Sequence, residues 1–214
     1  MPAVRQAETN LLYSAAFGKE PPVFSRKYSC FFALCPLLML CCRTHDAMDV
    51  RGALAGAANA LEAGDAVGLF PYIDERARFA LASTVKARAE ARGIIEADYP
   101  GAERPAALAA LGDAAQVQGA AELFARRCNE ACLRTLAAQV GVPVSQVQVG
   151  DELRVTTNRG GTLHMFAGSD GRVGIVWNTP ACASERAQSS RDLAQIRENA
   201  AVYRKRRELE RRAD

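Results

Sequence analysis

Apolar positions recur at steps of three and four along most of the chain's first two thirds, change to a step of two, and then return to helical spacing. Val50, Leu54, Ala57 and Leu61 form the first helical stripe, with Asp46 as the expected N-cap and Gly64 just past its end. Asp65 opens a short segment, AVGLF, that Pro71 ends. From Asp74 the string ERARFALASTVKARAEARGIIEA predicts a helix. Phe79, Val85 and Ala89 mark its expected inner side, and Arg76, Lys86, Arg88, Glu90 and Arg92 its solvated side. Pro100 and Gly101 break the pattern, Pro105 suits the first position of the next helix, and AALAAL stops at Gly112. Asp113 is expected to cap one long helix with the stripe Val117, Ala121, Phe124, Cys128, Ala131 and Leu136, until Gly141 and Pro143 end it.

The alternating segments are SQVQV, ELRVTT, TLHMFAG and RVGIVW. Turn signals separate them: Gly150-Asp151, Asn158-Arg159-Gly160-Gly161 and Gly168-Ser169-Asp170-Gly171. Leu153 with Val155, Leu163 with Met165 and Ala167, and Val173 with Ile175 and Trp177 share faces. This predicts a three- or four-stranded antiparallel meander with one apolar face. Thr179-Pro180 starts a long C-terminal helix whose stripe is Leu193, Ile196, Ala200 and Tyr203. The expected fold is α+β in one domain, 43–214, with helices over 46–141, sheet over 144–177 and a C-terminal helix over 180–212. No internal repeat is visible.

Ahead of that domain, residues 1–24 are mixed in charge and weakly patterned, and read as an extension upstream of a start near Val23. Residues 25–42 read as a leader. Arg26 and Lys27 precede Tyr28–Cys42, which is mostly apolar but interrupted by Ser29 and Pro36. That run is shorter than the roughly 20 residues of a spanning helix and suits the ~7–15 of a signal-peptide apolar region. Leu38-Met39-Leu40-Cys41 resembles a bacterial lipobox, with Leu40 where the motif has a small residue; Cys42, preceded by Cys41, gives a second frame. The resemblance implies an envelope lipoprotein acylated at Cys41 or Cys42, facing the periplasm and held to the membrane by its acyl chains. The chain as a whole also resembles the Ala/Arg-rich lipoproteins of GC-rich bacteria. A secretory leader cleaved elsewhere, an uncleaved anchor, and an apolar helix in the core of a cytoplasmic protein are the alternatives.

The order of a helix, then LEAGDAVGLFPYIDERAR, then a late meander ending in Trp177 is similar to that of NTF2-like domains. That resemblance implies a cone of curved sheet and helices around a cavity for small ligands, catalysis or dimerisation. It transfers no functional residue; Asp151, Arg154 and His164 are the polar groups such a pocket would use.

Composition narrows the chemistry. Hydrophobic residues make up 49% but aromatics only 7%, which argues against a large aromatic-lined ligand cavity. From Arg43 onward 23 basic residues face 22 acidic ones, so no nucleic-acid partner is expected. The tail YRKRRELERR concentrates Arg204, Lys205, Arg206, Arg207, Arg211 and Arg212 against two glutamates. Those charges complement the helix dipole, or contact an anionic lipid surface or another polyanion.

Beyond the leader, Cys128, Cys132 and Cys182 remain. CNEAC has C-x3-C spacing, unlike the C-x2-C of zinc knuckles and dithiol redox motifs. On a continuous helix the two thiols point in parallel, which is poor geometry for a disulfide; a break near Asn129 would permit a Cys128–Cys132 bridge. A bridge to Cys182 and buried free thiols are the other readings. His45 falls in the expected tether and His164 on the polar side of a strand. RGGT and GSDG lie between strands and read as hairpin turns rather than phosphate loops. No catalytic set, metal site or cofactor is expected. The functional expectation is a binding or scaffolding component of the envelope, with an anionic lipid surface or an envelope protein as its partner. The alternatives are a small NTF2-like enzyme or ligand binder and a cytosolic polyanion-binding protein.

Overall fold

The computed structural model describes residues 49–213. Asp46, the leader and His45 lie outside that range. The elements run α1 (Val50–Glu62), α2 (Ala66–Leu69), a 3-10 turn (Phe70–Tyr72), α3 (Glu75–Asp98), α4 (Arg104–Ala110), a second 3-10 turn (Asp113–Ala115), α5 (Ala120–Arg127), α6 (Glu130–Gln139), β1 (Pro143–Val149), β2 (Glu152–Thr157), β3 (Thr162–Ala167), β4 (Val173–Ile175) and α7 (Thr179–Ala213). The fold is α+β, as the periodicity predicts. The sheet is an antiparallel meander in the order β1-β2-β3-β4.

Helix ends follow local chemistry. Asp49, not Asp46, caps α1: its Oδ1 accepts from the Gly52 N–H at 2.6 Å. Gly64 sits at φ +64. The Asp65 and Gly64 N–H groups donate back to Ala60 and Leu61, which closes α1 in a Schellman turn. The long helix expected from Asp113 is instead a 3-10 turn followed by two helices. Cys128 leaves helical geometry at φ −91, ψ 78. Asn129 then starts α6 by accepting the Cys132 N–H at 3.1 Å. An asparagine cap inside an apolar stripe outweighs the stripe, because it satisfies an orphan donor of a new first turn.

One core lies between the sheet and the first helices. Val155, Leu163, Met165 and Ile175 from the strands meet Leu54, Leu69, Ile73, Leu123 and Phe124, all buried. Trp177 falls beyond β4 and packs its ring edge-on to Phe124, 4.7 Å between centroids. Ala167, expected on the apolar face, is exposed.

A second core joins the later half of α3 to α4 and α7. Ala87, Ala91 and Ile95 face Leu193 and Ala200, and Tyr99 meets Tyr203 edge-on at 4.9 Å. The two helices run parallel, since Arg88 pairs with Asp192 at 2.7 Å and Asp98 with Arg204 and Arg207 at 2.5 and 2.8 Å. α7, with 35 residues, is about 52 Å long.

Only at Val85, which packs against the main core, does the expected side match the inner side of α3. Its buried residues are Ala77, Ala80, Leu81, Thr84, Ala87, Ala91 and Ile95. Phe79 is 60% exposed beneath the Arg186 guanidinium, Ala89 is exposed, and Arg88 is largely enclosed by its ion pair. Small side chains let α7 approach closely, so the alanine side wins over the side holding the larger residues.

Both layers meet at Asp74, which is fully buried. Its N–H donates to the Ile175 carbonyl at 2.9 Å. Oδ1 accepts from the Arg76 and Ala77 N–H groups and from Arg76 Nε at 3.1–3.3 Å. Oδ2 accepts from the Thr179 hydroxyl at 3.0 Å and the Trp177 N–H at 3.4 Å. One carboxylate thus caps α3, closes β4 and anchors the start of α7. Gly174 permits this approach: a Cβ there would lie 2.7 Å from the Ile73 and Asp74 main chain. Asp74→Asn, which turns a donor toward two donors, is expected to lower the unfolding free energy by about 3 kcal/mol, the scale of breaking a buried charge pair, measured by urea denaturation.

Candidate interaction surface

The outer side of the sheet collects the polar strand residues. The β2–β3 register sets Glu152 opposite Phe166, Arg154 opposite His164 and Thr156 opposite Thr162. Leu153 and Val155, one step out of phase, face the core. Arg76 reaches this side from the first turn of α3. Its guanidinium stacks over the Phe166 ring at 4.0 Å, donates to Glu152 Oε1 at 2.8 Å and lies 3.6 Å from Asp151. Glu152 Oε2 meets His164 Nδ1 at 3.3 Å. The Arg76 hydrogen bond, more than the His164 contact, holds the Glu152 carboxyl below its ordinary value of 4.5.

This cluster is self-satisfied. Three carboxylates surround Arg76, so its charge is compensated within the protein. Asp151, Arg154 and His164 do share one neighbourhood, on the solvent side of the sheet. Cys128, Cys132 and Cys182 belong to the core on the other side. Among the described residues no group of three or more His, Cys, Asp or Glu is placed to hold a metal ion.

A disulfide joins Cys128 to Cys132 across the break between α5 and α6. The Trp177 Nε1–H points at Cys132 Sγ, 3.3 Å away. Cys182 is a buried free thiol whose pKa burial pushes up to about 11, so it stays protonated at neutral pH. Cys41 and Cys42 lie outside the described residues.

The basic tail is partly neutralised. Asp98 holds both Arg204 and Arg207, and Arg212 pairs with Glu208. Arg211 donates to the Arg207 carbonyl. Lys205 and Arg206 have no carboxylate within 4.0 Å among the described residues and lie exposed. Among the described residues no helix is long and apolar enough to cross a membrane.

The open part of the molecule is β1. The β4 edge is closed by the Ile73–Ile175 bridge and the Asp74 N–H. β1 has β2 on one side and, among the described residues, nothing on the other. Its register puts Val147 opposite Arg154 and Val149 opposite Glu152, so both valines point outward. Val142, Val144, Val147 and Val149 are between 46% and 68% exposed. The helices also leave its inner side uncovered. A groove of ≈ 550 Å³ between β1 and the start of α1 is lined by Val50, Pro143, Val144 and Leu153 together with the charged Asp49 and Arg51. A neighbouring groove of ≈ 380 Å³ continues along Leu54, Ala58 and Val142. Sequence reasoning assigned Arg76 to solvent and passed over Val147 and Val149. The available signal was a run without any charged residue, from Thr135 to Gly150, around the first strand of a meander.

Two outcomes are expected. Glu152 has a lowered folded pKa, so its contribution is complete above about pH 4.5 and is lost as pH falls through the folded value. The stability difference between the wild type and Glu152→Gln should therefore shrink on acidification below that point, followed by denaturant unfolding at several pH values. Cys128→Ala/Cys132→Ala should cost about 2 kcal/mol from ring closure across a four-residue separation. With Cys132 Sγ this close to the indole, the disulfide is expected to quench Trp177, so reducing the wild type should raise its emission.

No family model, curated protein or solved structure matches this chain.

Proposed function

We propose that this chain is an exported, lipid-anchored protein of the bacterial envelope, and that residues 49–213 form a binding or scaffolding module rather than a catalytic one. The observation that carries the reading is the Cys128–Cys132 disulfide within the main core. Disulfides persist in oxidising compartments and are rare in the cytosol. The short apolar run after Arg26 and Lys27, ending in Cys41 and Cys42, supplies the matching route and anchor.

The binding role rests on how the polar groups are used. Arg76, Glu152 and His164 bond to one another, whereas the uncharged strand β1 is left open along its edge and on both sides. Lys205 and Arg206 then serve as weak lateral contacts to anionic lipid for a domain already tethered nearby.

Cell fractionation of the tagged full chain tests this. The protein should sediment with membranes, resist salt and be released by detergent. Its first peptide should begin at acylated Cys41 or Cys42. Recovery in the cytosol, or native protein retaining Tyr28 through Leu40, overturns the proposal.

A further inference from the structure

We infer that two copies of this chain pair through β1, edge to edge and antiparallel, extending the meander into a continuous eight-stranded sheet across a two-fold axis at Val147. The inference does not depend on compartment or anchor.

The occupant of the edge follows from charge. Edge strands that stay unpaired carry lysines, prolines, bulges or inward charges. β1 has such devices at one end only: Pro143 and the register shift between Pro143 and Ser145. Ser145 to Val149 is regular and uncharged, and the uncharged run extends from Thr135 to Gly150. The charges flanking it are of both signs, Arg154 opposite Val147 and Glu152 opposite Val149 with Asp49 and Arg51 beside the inner groove, so a segment of one sign meets like charge as well as countercharge. A second copy meets a neutral strand with a neutral strand, and the 23 basic and 22 acidic residues from Arg43 onward set up little long-range repulsion between copies.

The register follows from symmetry. An antiparallel pairing of identical strands is self-complementary about a two-fold axis. The regular stretch Ser145–Val149 has Val147 at its middle, so only an axis at Val147 uses all five residues in both copies. Val147 then faces its own copy, Gln146 faces Gln148, and Val149 faces Ser145. On the outer side four valines form one apolar patch, covering side chains now 59% and 46% exposed. On the inner side the Gln146 and Gln148 amides can exchange hydrogen bonds across the new ladder. The open edge donors and acceptors of each copy supply the main-chain bonds.

The test uses the full chain in the cells that make it, with p-benzoylphenylalanine in place of Val147. Ultraviolet light should yield a species of twice the chain mass that contains only this chain. The same probe at Leu209, exposed on α7, should give at least tenfold less. Gln146→Lys/Gln148→Lys sets like charges face to face and should reduce the product at least tenfold. Gln146→Lys/Gln148→Glu sets opposite charges together in the same register and should restore it, which also covers the case in which the first variant fails to fold. Absence of the self-cross-link, cross-links from Val147 to other proteins alone, or a product unchanged by the like-charge variant overturns the inference.

Discussion

A single buried carboxylate holds the two layers of this protein in register. Asp74 has no exposed surface, yet its oxygens receive donors from the α3 backbone, from Arg76, from the chain after β4 and from the first residue of α7. An ionised group placed there would be costly unless every lone pair were used and a countercharge stood near. Both conditions are met, and the α3 N-terminus adds the favourable end of a helix dipole. The same constraint accounts for glycine at position 174, where main chain passes against main chain.

From that junction the molecule divides its work. The first core is aliphatic and aromatic, and it packs the inner side of β2, β3 and β4 against the early helices. The second is thin, with alanine at three of its seven buried positions, so the parallel pair α3–α7 draws on more than apolar area. Ion pairs at Arg88–Asp192, Glu90–Arg197 and Asp98 with Arg204 and Arg207 run along its length. Exposed pairs of this kind contribute little singly, whereas Arg88 and Asp98 are mostly enclosed and fix the relative rotation of the helices. The same pairing consumes two of the six tail cations, so α7 is a weaker electropositive surface than its composition suggests. Arg76 repeats the lesson on the sheet, where a residue that reads as solvated becomes the bridge between helix and strand.

Much of the architecture was legible beforehand because it is set by neighbours in the chain. Alternation in ELRVTT and TLHMFAG marks strands, and Gly150-Asp151 and Gly168–Gly171 mark the turns between them. Thr179-Pro180 marks the start of α7. The errors arose where two local signals competed. The apolar stripe from Val117 to Leu136 outvoted Asn129 in the reading, although a capping side chain can end one helix and begin another within two residues. The disulfide depended on that break. On α3 Val85 packs on the main core while Phe79 stays exposed: hydrophobicity weights Phe79 above alanine, whereas close helix packing favours the alanines.

The sequence by itself determined where helical segments give way to strands and return, that the strands form a meander with one apolar side, and that a short apolar run ending in cysteines stands before them. Those properties depend on periodicity and turn chemistry, which act over a few residues. The tertiary structure alone decided that Arg76 belongs to the sheet, that Asp98 holds the tail arginines and that β1 is the uncovered edge. Each depends on groups far apart in the chain meeting in space, and distance along the sequence carries no information about which partner a charge or a strand edge will find.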